Sequence, residues 1–229
     1  MKKVFLSVLV VMLLASGIVF AAEIQNDKVD SFAGFSAGFG LSHEKFGFDS
    51  GSTRIDKNNP ILLSLNAYGF NKGASLGIYL DMNLMLLADM TSVLDGVDIS
   101  TEDQIPLLFD VTIGLGFREE LSRGINLLGQ VGLDFAYLDQ EYRYFDDDAY
   151  KVTISHINIG LCADINAQFN LGRGWSVAIG AKGSFMFLDF VTKETKSWTG
   201  THDDYESMMD HDSYIGCRII PKLTVFKEL

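Results

Sequence analysis

The chain has 229 residues and a formal net charge of −12, yet 48% of it is hydrophobic and its mean hydropathy is +0.17. So apolar a chain can bury enough surface to fold, which excludes disorder, and its acidity excludes nucleic acid as a partner. Two cysteines and four histidines supply neither a disulfide scaffold nor a structural metal site, and no cofactor is implied.

The chain opens on Lys2 and Lys3, followed by an almost wholly apolar stretch over 4–20. Val19-Phe20-Ala21 then supplies the small or modest residues of a cleavage site. This layout predicts a secretory signal peptide over 1–21, with 22–229 exported as one domain. An uncleaved membrane anchor is the alternative, but the apolar core is short and the cleavage signal argues against it.

Beyond residue 21 no apolar run approaches the ~20 residues of a membrane helix. A period of two takes over, and it predicts eight strands at 33–45, 61–70, 76–86, 107–118, 125–139, 157–169, 175–187 and 214–226. The segment 157–169 is the clearest case. Ile157, Ile159, Leu161, Ala163, Ile165, Ala167 and Phe169 alternate there with Asn158, Gly160, Cys162, Asp164, Asn166 and Gln168. Three short connections end in glycine: Asn71-Lys72-Gly73, Ser122-Arg123-Gly124 and Gly172-Arg173-Gly174. The other connections, at 47–59, 88–105, 140–151 and 194–212, read as long polar loops. Short turns at one end and long loops at the other describe an up-and-down meander. A propeller is excluded, since its repeats need four short strands where this chain has two long ones.

Such a meander closes either as a soluble barrel, apolar inside, or as a membrane barrel, apolar outside. Volume decides between them. The apolar face carries bulky Leu, Ile and Phe, while the other is small: Gly34, Ser36, Gly38, Gly40 and Ser42, then Gly77, Gly114, Gly116, Gly132, Gly160, Gly180 and Ser184. An eight-stranded lumen is only just wide enough for side chains to fill, so the bulky face is expected to meet lipid. Strands of ~12 residues tilted about 40° span roughly 30 Å, which covers an apolar band of ~25 Å. Aromatic belts are expected at Phe35, Phe117, Phe169 and Trp175 near the short turns, and at Phe135, Tyr137, Phe185 and Phe187 near the long loops. A secreted soluble barrel remains the alternative.

These features resemble the small outer-membrane β-barrels of diderm bacteria, the class of the OmpA transmembrane domain, OmpX, OmpW and the opacity proteins. Phe-Ser-Ala-Gly-Phe-Gly at 35–40 and Ser-Leu-Gly-Ile-Tyr at 75–79 are similar to spirochaetal members. The resemblance implies an all-β, eight-stranded antiparallel transmembrane barrel in the bacterial outer membrane, bound by outer-membrane lipid. It also implies insertion by the outer-membrane assembly machinery, which reads a terminal aromatic. Here Val225-Phe226 is followed by Lys227-Glu228-Leu229, a departure in which Leu223, Val225 and Leu229 keep the outward phase.

The expected lumen holds Asp81, Asp110, Asp134 and Asp164 on four consecutive strands. Lys182, Arg218 and Lys222 stand opposite, with Arg118 low on the fourth strand. Unpaired charges in a narrow barrel are costly, so mutual pairing is expected. Two roles stay open for this network, a structural plug or a narrow path for small solutes.

The long connections are acidic and aromatic, with Asp146-Asp147-Asp148 in one and Trp198, His202, Asp203, Asp204, Tyr205, Glu206, Asp210, His211 and Asp212 in another. Their spacing matches no metal motif, so no metal site is expected and solvated charge explains them. A surface adhesin or ligand-binding barrel, meeting host or envelope ligands through these loops, is the alternative role. An enzyme is not expected, because Ser184, His156 and Asp139 would have to converge without any nucleophile motif. Cys162 and Cys217 fall on opposite phases, two strands apart, and should be free thiols.

Overall fold

The computed structural model describes residues 29–48, 50–99, 106–144, 150–197, 203–208 and 213–229. The expected export signal and the acidic run at 146–148 lie outside them. Of the last acidic connection, 194–197 and 203–208 are described, for the backbone alone.

Among the described residues, eleven strands form one antiparallel sheet. In chain order they are β1 (Val29–Phe39), β2 (Leu41–Gly47), β3 (Thr53–Asn71), β4 (Leu76–Leu94), β5 (Val97–Ile99), β6 (Leu107–Ser122), β7 (Ile125–Tyr144), β8 (Tyr150–Gly172), β9 (Trp175–Ser197), β10 (Asp203–Met208) and β11 (Ser213–Glu228). β1 and β2 follow one line and share neighbours, each pairing with β3 on one side and β11 on the other. They part at Gly40, beside Pro221, whose ring nitrogen has no proton to give the ladder. The ring then runs through β3, β4, β6, β7, β8, β9 and β11 back to β1 and β2. Eight barrel strands therefore close on themselves and leave no free edge. β5 and β10 are short additions to β4 and β9 at the outer end.

The expected strands are all present, but they are longer than the apolar alternation indicates. The stretches read as long loops are partly strand. β3 begins at Thr53, β4 runs to Leu94, and the β7–β8 ladder reaches Tyr144 opposite Tyr150. Above the membrane both faces of a strand are wet, so the backbone ladder continues while the apolar–polar contrast that reveals it disappears.

The exterior is apolar. Phe35, Leu65, Leu115, Leu133, Ile165, Ile179 and Ile219 are all exposed, and Leu115 is 60% exposed. A water-facing surface of this kind would associate, whereas lipid accepts it. Trp175, Phe169 and Phe35 lie toward the short turns, and Phe185 and Phe187 toward the outer end. Leu223, Val225 and Leu229 face outward, while Phe226 turns into the barrel.

One sequence expectation fails here. Large apolar side chains do enter the lumen, in two clusters. Tyr68, Phe70, Tyr79, Leu128, Ala178 and Phe226 form a lower one, with Phe32 against it. Phe46, Leu62, Met85, Leu87, Leu108, Leu138, Met186, Tyr214 and Ile220 form most of an upper one. Inward glycines make the room. A Cβ on Gly34 would collide with the ring of Phe226, and one on Gly116 would stand 3.1 Å from Tyr68. The volume argument treated glycine as a sign of a small-residue lumen, when Gly34 accommodates a ring from the neighbouring β11 and Gly116 one from β3, two strands away.

Two irregularities reset the inward phase. The β3–β4 register shifts between Lys57 and Asn59, so Leu87 and Ser92, of opposite parity, both point inward. A second shift, at Ile159 and Gly160 of β8, skips Phe187 of β9 and turns Asp189 inward.

The outer β4–β5 turn is built on Asp95-Gly96, with φ of 49° and 83°, the left-handed pair a two-residue hairpin needs. The Thr53 amide donates to Asp95 Oδ1 at 2.7 Å and, with help from Ser52, holds that carboxyl below its ordinary range. A depressed carboxyl stabilises the turn above its unfolded pKa and loses that effect as pH falls through the depressed value. Amide exchange at Thr53, corrected for intrinsic rate, should therefore accelerate below about pH 4, near the ordinary range of Asp. Asp95→Asn should abolish that pH step.

The outward assignment has its own test. Leu133→Arg, at mid-height on β7, should lower the unfolding free energy in lipid vesicles by roughly 2–4 kcal/mol. A urea titration that leaves stability unchanged would place this face out of the bilayer.

Candidate functional site

Between the two apolar clusters lies a layer of charged and polar side chains. Every barrel strand contributes to it, because each strand places one to three inward positions near this height. Ser36 comes from β1, Ser64 and Asn66 from β3, Asp81 and Asn83 from β4, and Asp110 and Thr112 from β6. Gln130 and Asp134 come from β7, Asp164 and Asn166 from β8, Lys182 from β9, and Arg218, Lys222 and Thr224 from β11. All of them are buried.

Lys182 stands at the centre and is 1% exposed. Its Nζ lies 3.0 Å from Asp110 Oδ1, 3.4 Å from Asp81 Oδ2 and 3.6 Å from Asp134 Oδ1, and it donates to Thr112 Oγ1 at 3.0 Å. Amides and hydroxyls hold the carboxylates in turn. Ser64, Asn66 and Asn83 donate to Asp81, Asn83 also donates to Asp110, and Thr112 Oγ1 donates to Asp134 at 2.7 Å. Lys222 pairs with Asp164, which also accepts from Gln130 Nε2 at 3.1 Å and Asn166 Nδ2 at 2.8 Å. Arg218 links this layer to the one above, with Nη1 3.9 Å from Asp110 and Nη2 3.2 Å from Glu44.

Seven of the eight lumen residues singled out in the sequence thus lie in this layer, one group around Lys182 and Arg218 and another at the Lys222–Asp164 pair. Arg118 does not join them. It sits below the lower aromatic cluster, 2.9 Å from Asp30, with its guanidinium 4.9 Å from the centre of the Phe70 ring and 5.6 Å from that of Phe32. It caps the periplasmic end.

Sequence reasoning missed four lumen carboxylates, of which Asp56, paired with Arg54, lies in a stretch read as a long loop. Glu44 keeps the even phase of Ser42 and was legible on that ground. Asp189 has the wrong parity for β9 and becomes inward only through the bulge at Phe187. There it accepts from His156 Nδ1 at 2.8 Å and Asn158 Nδ2 at 2.9 Å. Asp30 precedes the predicted first strand, so no alternation marked it.

No catalytic triad assembles from Ser184, His156 and Asp139. His156 sits opposite Val191, and Ser184 opposite Cys162 much lower in the same ladder. Asp139 lies on the outward phase, accepting from Tyr137 Oη at 2.6 Å and from Ser155 Oγ at 2.5 Å. Both thiols are free; Cys162 is buried and Cys217 is exposed to the lipid side. Among the described residues no group of histidine, cysteine and carboxylate side chains is arranged to hold a metal ion.

A lysine stripped of water is tolerable only with its countercharges in place. Lys182→Met should leave three carboxylates facing one another and cost about 3–5 kcal/mol of unfolding free energy. Adding Asp110→Asn should recover part of that loss, and urea titrations of both variants in vesicles would show it.

Residues 8–206 match the family described as outer membrane protein beta-barrel domain. Among solved structures, a major outer membrane protein of Thermus thermophilus is similar at a TM-score of 0.61 and 13% identity, over 88% of this chain and 99% of that one. The outer membrane protein OprG of Pseudomonas aeruginosa is similar at 0.51 and 11%, over 88% and 97%. No curated protein matches the sequence.

Proposed function

Because the chain belongs to the outer membrane protein beta-barrel domain family and sits in the bacterial outer membrane, we propose that it acts as a closed, non-conducting barrel. It is a rigid membrane anchor whose contacts with other molecules are made at its outer rim. The observation that carries this reading is the lumen's layering. An ion-paired layer is enclosed between two apolar clusters, with Tyr68, Phe70 and Phe226 below it and Leu62, Met85 and Leu108 above. An ion on the axis would have to cross both apolar layers and displace Lys182 from its carboxylates. A non-enzymatic role is supported by Ser184 lying well below His156 and by Asp139 facing the opposite side of the sheet from both.

The outer end suits display. The β7–β8 and β3–β4 ladders carry the hairpins well above the apolar band, and the connections 140–151 and 194–212 are acidic in sequence. A ligand meeting this rim would meet carboxylates on a support that does not deform.

Planar-bilayer recording of the refolded protein should show no discrete unitary steps, and liposomes containing it should not swell in small sugars or salts. Reproducible unitary conductance from the unmodified protein would overturn the closed-barrel reading in favour of a narrow pore.

A further inference from the structure

In a chain of net charge −12, three basic side chains cluster on the outside of the barrel at one height. His43 and Lys57 face each other directly across the β2–β3 ladder, and Lys45 is the next outward position on β2. All three are exposed. Directly opposed cross-strand side chains have Cβ atoms about 5 Å apart, so one tetrahedral anion can touch both. Lys45, roughly 7 Å further along β2, can reach the same anion through its four-carbon stem.

The height of the cluster is informative. Outward positions run apolar through Phe35, Phe39 and Leu41 on β1 and β2, and through Leu65, Leu63 and Ile61 on β3. His43 comes next on β2, and Lys57 follows Asn59 on β3, where the ~25 Å apolar band ends and lipid headgroups begin. A groove of about 440 Å³ opens at this point, lined by His43, Lys57 and Asn59 at its polar edge and by Leu41, Cys217 and Ile219 at its apolar edge. Asp89, a carboxylate that also lines it, accepts from Asn59 Nδ2 at 3.1 Å. On β6 and β7 the outward positions in register with Ile61 and just below it are Leu107, Phe109, Tyr137 and Asp139.

We propose that His43, Lys45 and Lys57 form a binding site for the phosphate of an outer-leaflet lipid, whose acyl chain lies over Leu41, Ile61 and Ile219. Positive groups at headgroup level attract phosphate, and the groove below admits the hydrocarbon attached to it. An anion without a chain would gain only the first of these contacts. The site needs only the barrel's place in the membrane, so it stands whether or not the lumen conducts.

The test is native mass spectrometry of the full chain refolded in dodecyl maltoside, with equimolar phosphatidic acid and phosphatidylcholine. Phosphatidic acid should be retained preferentially. The double variant Lys45→Ala/Lys57→Ala should lose that retention by roughly 30-fold, near a factor of five per lysine. Lys45→Arg/Lys57→Arg should keep it. Lys72→Ala/Arg173→Ala, which removes the same charge from the periplasmic turns, should leave it unchanged. Heat-modifiable migration on gels verifies that each variant is folded. Equal retention by the native protein and the alanine pair would overturn the proposal. So would equal loss in the periplasmic control, or displacement of the lipid by millimolar sodium phosphate, which would mean a site for free anion.

Discussion

Lys182 puts a positive charge near the axis of a ring of eight strands, and the lumen is organised around its neutralisation. Its ammonium has traded water for Asp110, Asp81, Asp134 and Thr112, which reach it from β4, β6 and β7, none of them adjacent to β9. Strands that are neighbours in the ring are already joined by backbone ladders. Lys182 joins strands that are not neighbours, as does Arg218 between Glu44 and Asp110. These cross-lumen contacts brace the ring against flattening. Since removing one partner of a buried pair costs more than the pair contributes, the network is exacting about every member.

The apolar clusters above and below follow from the same constraint. Water entering from either mouth would raise the local dielectric and weaken each ion pair. Tyr68 packs at 4.6 Å from Tyr79 and 5.8 Å from Phe226, between ring centres, across the lower lumen. Arg118 over Phe70 and Phe32 closes that end. At the upper end Phe46 stands 5.1 Å from Tyr214 and 6.0 Å from His156. The charged layer is kept dry by rings, and the rings fit because Gly34, Gly77 and Gly116 leave space beside them.

This arrangement explains what could be read in the sequence. Within the membrane one face of each strand meets lipid and the other a polar lumen, so alternation is strong and the eight strands are visible. The same parity placed Asp81, Asp110, Asp134, Asp164, Lys182, Arg218 and Lys222 on one side of the sheet without saying which would touch. Parity breaks wherever a bulge inserts a residue. Asp189 was therefore hidden by Phe187, and nothing in local composition announces that bulge. The interior aromatics were hidden for another reason: Tyr68 and Phe226 alternate as polar-face residues should, but their size argued for the outside. Only the register, which sets Phe226 of β11 beside Gly34 of β1, shows that a large ring and a missing side chain share one volume.

The exterior completes the physical picture. A barrel in lipid could be uniform around its circumference, since the apolar band has no preferred side. This one is not uniform at headgroup level, where β2 and β3 carry His43, Lys45 and Lys57 while β7 and β8 carry Asp139 braced by Tyr137 and Ser155. On β2 and β3 these cations fall where the outward apolar positions end, the level at which headgroup phosphates lie.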